Sequence, residues 1–168
     1  MCALNRKSLY TAAEKIEAVV VRLLTGRNQT LALAESCTGG AIADHVTNVP
    51  GASKVFLGGV VAYNNDVKQK FLGVHDETLK QNGAVSEAVA REMAEGARKK
   101  FGADFAIAVT GIAGPGGGTK DKPVGTVFIA LAGAFGTVVE RKLNSCGRGA
   151  FKQLTARQAL EMLRGCLA

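Results

Sequence analysis

The sequence predicts an α/β fold, a three-layer α/β/α sandwich around a mixed, mostly parallel sheet. Short apolar runs of strand type alternate with longer stretches of helical apolar spacing. A single tight hairpin adds antiparallel strands to that pattern. No internal repeat and no Pro/Gly/Ser-rich linker divides the 168 residues, so one domain spanning residues 1–168 is expected.

In chain order, Tyr10 to Leu24 places Ile16, Val19, Val20, Leu23 and Leu24 at amphipathic-helix spacing. Thr30 to Glu35 reads as a short buried strand. Gly39 to Val49 reads as a helix stopped by Pro50-Gly51. Val55 to Asn64 is a second strand, where Gly58-Gly59 suggests a bulge or a close backbone approach. Asn64-Asn65-Asp66 can cap a helix running to Leu72, and His75 falls in a turn. Ser86 can cap a long helix with Val89, Met93 and Ala97 on one stripe, ending near Phe101-Gly102. Asp104 to Gly111 is a third buried strand, followed by the loop IAGPGGGTKDKPV. The runs GTVFIALAG and TVVERKL pair around Ala134-Phe135-Gly136, and a final helix covers Gly149 to Leu167.

A chain of this length buries roughly 70% of its unfolded surface without staples. The four cysteines show no CxxC spacing and read as free thiols of a reducing compartment. MCALNRKSLY has no signal-peptide core and no apolar run reaches the ~18 residues of a membrane span, so a cytoplasmic location without membrane contact is expected. The net charge of +7 invites a nucleic-acid reading. However, the basic residues are scattered, and 5% aromatics without tryptophan offer no base-stacking surface. A small anionic substrate suits the charge equally well.

Open α/β sheets bind ligands beyond the carboxyl ends of their strands. Three such ends carry polar residues: Glu35-Ser36, Tyr63-Asn64 and Thr110-Gly111. Ser36 as a nucleophile needs a base and oxyanion donors, which the N–H groups of Thr38, Gly39 and Gly40 can supply at a helix start. Those groups can equally hold a phosphate. His45 lies too far along its helix to serve as base, and His75 is read as a surface residue. Lys68 is the next candidate, but a helix start alone lowers its pKa by less than a unit, so burial has to supply the rest. Tyr63 can relay a proton between Ser36 and Lys68 or pack at its strand end. The loop Gly114 to Gly118 can cradle a phosphate, act as a lid or merely connect. No ligand spacing for a metal is present, and no cofactor is expected.

The segments AESCTGG, GGVVAYNNDVKQKFLGV, NGAVSEAVAREMAEGA and TGIAGPGGGTKDKPVGTV, in this order, closely resemble the CinA C-terminal domain family, also called nicotinamide-nucleotide amidohydrolase or NMN deamidase. The likeness runs from about Leu31 to Arg148. It implies hydrolysis of the carboxamide of nicotinamide mononucleotide to nicotinate mononucleotide and ammonia. It further implies Ser36 as nucleophile, Lys68 as general base and Tyr63 as a third catalytic residue. Thr38, Gly39 and Gly40 match the anion-holding turn; Thr110, Gly111 and Gly114 match the substrate loop, and Arg148 matches a substrate-binding position. Cys37 is the rival nucleophile, but alternation along a strand lets only one of the pair enter the crevice. Many members also carry a larger N-terminal domain that resembles molybdopterin-binding proteins, and no counterpart of it is expected within these 168 residues. The expected partners are a small-molecule nucleotide and further copies of the chain, as a homo-oligomer. Two other readings stand beside the enzyme: a non-catalytic nucleotide-phosphate binding module, and a DNA-linked accessory protein suggested by the family's competence-related name.

Overall fold

A computed structural model describes residues 14–168. Helix α1 (Ile16–Arg27) leads into β1 (Leu31–Glu35), α2 (Ala41–Thr47) and, after a helical turn at Ala52–Lys54, β2 (Phe56–Val61). Then come α3 (Asn65–Leu72), α4 (Asp76–Asn82), α5 (Glu87–Phe101), β3 (Phe105–Gly111), β4 (Thr126–Gly133), β5 (Gly136–Leu143) and α6 (Arg148–Leu167). Residues 10–13 of the expected first helix lie outside the described residues.

The five strands form one sheet in the order β2-β1-β3-β4-β5. β1 pairs parallel with both β2 and β3, while β4 runs antiparallel between β3 and β5. All strands but β4 therefore point the same way, so the sheet is mixed and mostly parallel. Pairing of β1 with β2 shifts register between Leu31 and Ala32. The shift falls beside Gly58, and a Cβ on neighbouring Gly59 would lie 2.9 Å from the Leu33 carbonyl oxygen. Bulge and close backbone approach thus occur together at the expected glycines.

Two cores sandwich the sheet, and the strand sequences sort themselves between them by the period of two. Leu31, Leu33, Ile107, Val109, Ile129 and Leu131 face α1, α2 and α6, where Phe151, Leu160 and Leu163 complete the packing. Ala32, Ala34, Ala106, Ala108, Ala130 and Ala132 face α5, which lays Val89, Ala90, Met93, Ala94 and Ala97 against them. Large side chains line one face and, Phe128 at the end of β4 apart, alanines line the centre of the other.

Local chemistry sets the helix ends. The Asn64 side chain accepts from the Asp66 N–H at 2.8 Å and starts α3; the Ser86 hydroxyl accepts from the Val89 N–H and starts α5. Helix α4 and the short helical turn at Ala52–Lys54 are the elements absent from the sequence reading. None of the α4 residues is buried, so no apolar stripe marks it. Glu92 of α5 holds its start instead, accepting from the His75 N–H and the Thr78 hydroxyl. No helix among the described residues is long and apolar enough to cross a membrane.

Candidate active site

The chain leaves β1 through α2 on one side of the sheet and reaches β3 through α3 to α5 on the other. This reversal opens a crevice at the carboxyl ends of β1 and β3, where ligands bind in open α/β sheets. A cavity of about 230 Å³ sits there, bordered by Ser36, Cys37, Tyr63, Asn65, Lys68, Ala84, Val85, Thr110, Gly111, Ala113 and Arg148. Six of the residues singled out from sequence (Ser36, Tyr63, Lys68, Thr110, Gly111 and Arg148) therefore share one hollow, although 112 positions separate the first from the last.

Ser36 follows directly on β1 and is almost fully buried, with its N–H donating to the Val109 carbonyl at 3.0 Å. Both Ser36 and Cys37 border the cavity, which corrects the expectation that only one would. The strand ends at Glu35 and residues 36–40 form a turn, so strand alternation no longer governs the pair. Their chemistry differs instead. Burial pushes the Cys37 thiol up to about 12, its own N–H and that of Thr38 opposing the shift. A thiol so held supplies almost no thiolate at neutral pH.

The turn itself is built differently from expectation. Thr38, Gly39 and Gly40 do not border the cavity. The α2 N-terminus is filled from within by Glu35, whose carboxylate accepts from the Thr38 hydroxyl at 2.6 Å and from the N–H groups of Gly40, Ile42 and Ala43 at 3.0, 3.1 and 2.8 Å. The Gly39 N–H is taken by the Ser36 carbonyl. An external anion therefore finds no free donors at Gly39 or Gly40. The two glycines serve geometry: φ values of +61° and +96° turn the chain back so that Glu35 meets the helix it precedes. The N–H groups of Cys37 and Thr38 remain without a carbonyl partner.

Lys68, in the first turn and a half of α3, is 2% exposed and among the largest fully buried side chains. Its Nζ donates to the Ala62 carbonyl at 2.9 Å, and no carboxylate among the described residues pairs with it. Burial lowers its pKa from the ordinary lysine value, only partly opposed by the neighbouring Cys37 thiol. Burial, not helix position, is the larger cause, because an unpaired ammonium loses its hydration. Of the two readings of Tyr63, a proton relay or packing at its strand end, the hydroxyl contact seen here does not support the relay. Tyr63 is 58% exposed, and its hydroxyl accepts from Arg148 at the rim, with no hydrogen bond to Lys68 or Ser36.

Arg148, the first residue of α6, also donates to the Gly114 carbonyl at 2.9 Å. Both partners are neutral, so no carboxylate among the described residues offsets its charge beside the cavity. Gly114 does not border the cavity and acts through that carbonyl. The Thr110 hydroxyl donates to the Ala84 carbonyl at 2.7 Å, which ties the 83–86 turn to β3 and shapes one wall. His45 points away, its Nε2 2.7 Å from Gln153. His75 flanks Glu92 on the surface. Among the described residues, no group of three or more His, Cys, Asp or Glu side chains is placed to hold a metal ion.

Sequence reasoning missed Glu35 as the internal cap and Asn65 as a wall residue. A carboxylate ending the apolar run LALAE was the available signal for the first. Nothing distinguished Asn65 from its capping neighbour Asn64.

A family model described as the CinA C-terminal domain matches residues 13–167. A CinA-like protein of Thermotoga maritima is 54% identical over 152 residues, which cover 90% of this chain and 37% of that protein. A CinA-like protein of Parasynechococcus marenigrum is 52% identical over 156 residues, again 37% of its length. The chain thus spans well under half of the curated relatives it matches. Among solved structures, the competence/damage inducible protein CihA from Agrobacterium tumefaciens aligns with a TM-score of 0.86 at 41% identity, covering 94% of this chain and 98% of that one. A CinA superfamily protein from Escherichia coli aligns at 0.85 and 32% identity, covering 99% of both chains.

Proposed function

The chain belongs to the CinA C-terminal domain family, and from that premise we propose that it is an amidohydrolase releasing ammonia from nicotinamide mononucleotide. The observation that carries this reading is a fully buried amine, Lys68, with no carboxylate partner among the described residues and on the same cavity as a serine. Its lowered pKa favours the neutral amine, the form that can accept a proton. Ser36 Oγ attacks the carboxamide carbon while Lys68 takes its proton. The amine then returns that proton to the leaving nitrogen, the C–N bond breaks and ammonia departs. Water, deprotonated by the same amine, cleaves the Ser36 ester to give the carboxylic acid and restore the serine. The oxyanion donor in this scheme is the N–H of Cys37, a residue that borders the cavity and whose N–H has no carbonyl partner among the described residues.

The cavity volume supports a divided ligand. About 230 Å³ is below the roughly 300–1,000 Å³ of pockets that swallow whole ligands. It suits the carboxamide-bearing ring and leaves ribose and phosphate at the mouth, beside Arg148. The alternative of a phosphate held at the α2 N-terminus loses support because Glu35 occupies those donors. A homo-oligomer without a nucleic-acid partner belongs to the same proposal.

Ammonia release from nicotinamide mononucleotide by wild type and Ser36→Ala, with and without EDTA, tests the reading. Turnover by wild type alone, at least about 10³-fold above the variant and insensitive to EDTA, is expected. Equal rates in the two proteins would remove Ser36 from the mechanism.

A further inference from the structure

Asn65 borders the cavity, and three residues on, Lys68 does too, so both project from one face of α3. The residue has no helical duty there. Asn64 already caps α3 through its side chain, and asparagine is a poor helix former. Its amide makes no hydrogen bond within the described residues.

The remaining polar side chains of the cavity leave a gap in chemistry. Arg148 only donates and attracts anions, while Lys68, whose burial favours the neutral amine, donates to the Ala62 carbonyl and keeps its lone pair for the Ser36 proton. The Thr110 hydroxyl proton goes to Ala84, and Tyr63 is engaged by Arg148. A site lined in this way favours a carboxylate over a neutral carboxamide, so the product would bind better than the substrate. An amide-hydrolysing site needs an element that reverses this preference.

Resting on the amidohydrolase reading, we infer that Asn65 is a specificity-determining residue whose side-chain carbonyl accepts an N–H of the substrate carboxamide. That carbonyl attracts the amide and repels a carboxylate oxygen, which carries no proton to donate. Asn65 thereby selects substrate over product and speeds product release.

The experiment measures calorimetric Kd for nicotinamide and nicotinate mononucleotides on Ser36→Ala protein, which holds the amide without turning it over. The same is done with Asn65→Ala and Asn65→Asp added. Asn65→Ala weakens the amide about tenfold, as loss of one hydrogen bond predicts, and leaves the acid unchanged or tighter. Asn65→Asp keeps the amide and weakens the acid at least about tenfold through like-charge repulsion. Thermal midpoints fall in neither variant, because the cap lies at Asn64. Equal weakening of both ligands by Asn65→Ala, or no change in either, overturns the inference while the amidohydrolase reading stands. If Ser36→Ala protein binds neither mononucleotide and wild type releases no ammonia, both fall.

Discussion

Replacing Glu35 by glutamine keeps its shape and removes its charge, which tests whether an internal carboxylate organises the turn that carries Ser36. The side chain is 1% exposed and accepts four hydrogen bonds, three on Oε2 and one on Oε1. In the best glutamine orientation the carbonyl takes the three-donor position. The three bonds there drop from charge-assisted to neutral strength, about 1 kcal/mol each. The NH₂ group then faces the Ala43 N–H, and two opposed donors cost about 1–3 kcal/mol more. Burying an amide instead of a charge offsets part of this, since a buried ion carries a desolvation penalty of several kcal/mol. The net expectation is a loss of about 2–4 kcal/mol, a large share of the 5–15 kcal/mol typical of a domain. Urea unfolding followed by far-ultraviolet circular dichroism reads this as a lower midpoint at unchanged slope. Thr38→Val, which deletes only the 2.6 Å bond, should lose about 1–2 kcal/mol and remains folded if the glutamine variant does not. Midpoints within about 0.5 kcal/mol of wild type for both would refute the reasoning.

Lys68→Met should abolish ammonia release and yet raise stability at neutral pH. Burial favours the uncharged amine, so the folded protein binds fewer protons than the unfolded chain between the lowered folded pKa and the unfolded value of about 10.4. Wild-type stability therefore rises with pH across that window, and the methionine advantage shrinks there. Differential scanning calorimetry at pH 7 should show a midpoint higher by about 2–4 °C, the response of a domain this size to 1 kcal/mol, even after loss of the Ala62 bond. A lower midpoint would mean that the buried amine stabilises the fold. Cys37→Ala should keep ammonia release within about threefold of wild type and cost about 1–2 kcal/mol in packing. Peptide mapping after iodoacetamide at pH 8 should find Cys146 and Cys166 modified, both being exposed, and Cys37 modified only after unfolding.

The strands and long helices were legible because their signals are local. The runs LALAE, FAIAVTG and TVFIALAG carry unbroken apolar character over strand length, and α5 carries a capping serine plus a stripe. Helix α4 was not, because DETLKQN buries nothing and is fixed from outside by Glu92. In the site, Ser36 was singled out by its strand end, Lys68 by its place at a helix start and Arg148 by the family resemblance, and all three border one cavity. The partners were not legible. Glu35 caps a helix from five to eight residues upstream, outside the spacing of ordinary capping boxes. Tyr63 meets Arg148 across 85 positions, a contact that depends on sheet order and not on any nearby residue.

The division of the sheet into a large-residue face and an alanine face makes the two cores vulnerable in opposite directions. Beneath α1, α2 and α6, truncating Leu33, Ile107 or Leu131 would hollow the interior, and neighbouring side chains can partly collapse into the space. Beneath α5, Ala34, Ala108 and Ala130 are fully buried with only a methyl group left to remove. There the damaging change is enlargement, which forces helix and sheet apart. α5 and the alanines it covers also bear the Lys68 side of the crevice, since α3 packs on α5. A random library would thus lose its members through holes on one side and through wedges on the other. Only the wedges would displace the amine from the serine while leaving most of the hydrophobic interior intact.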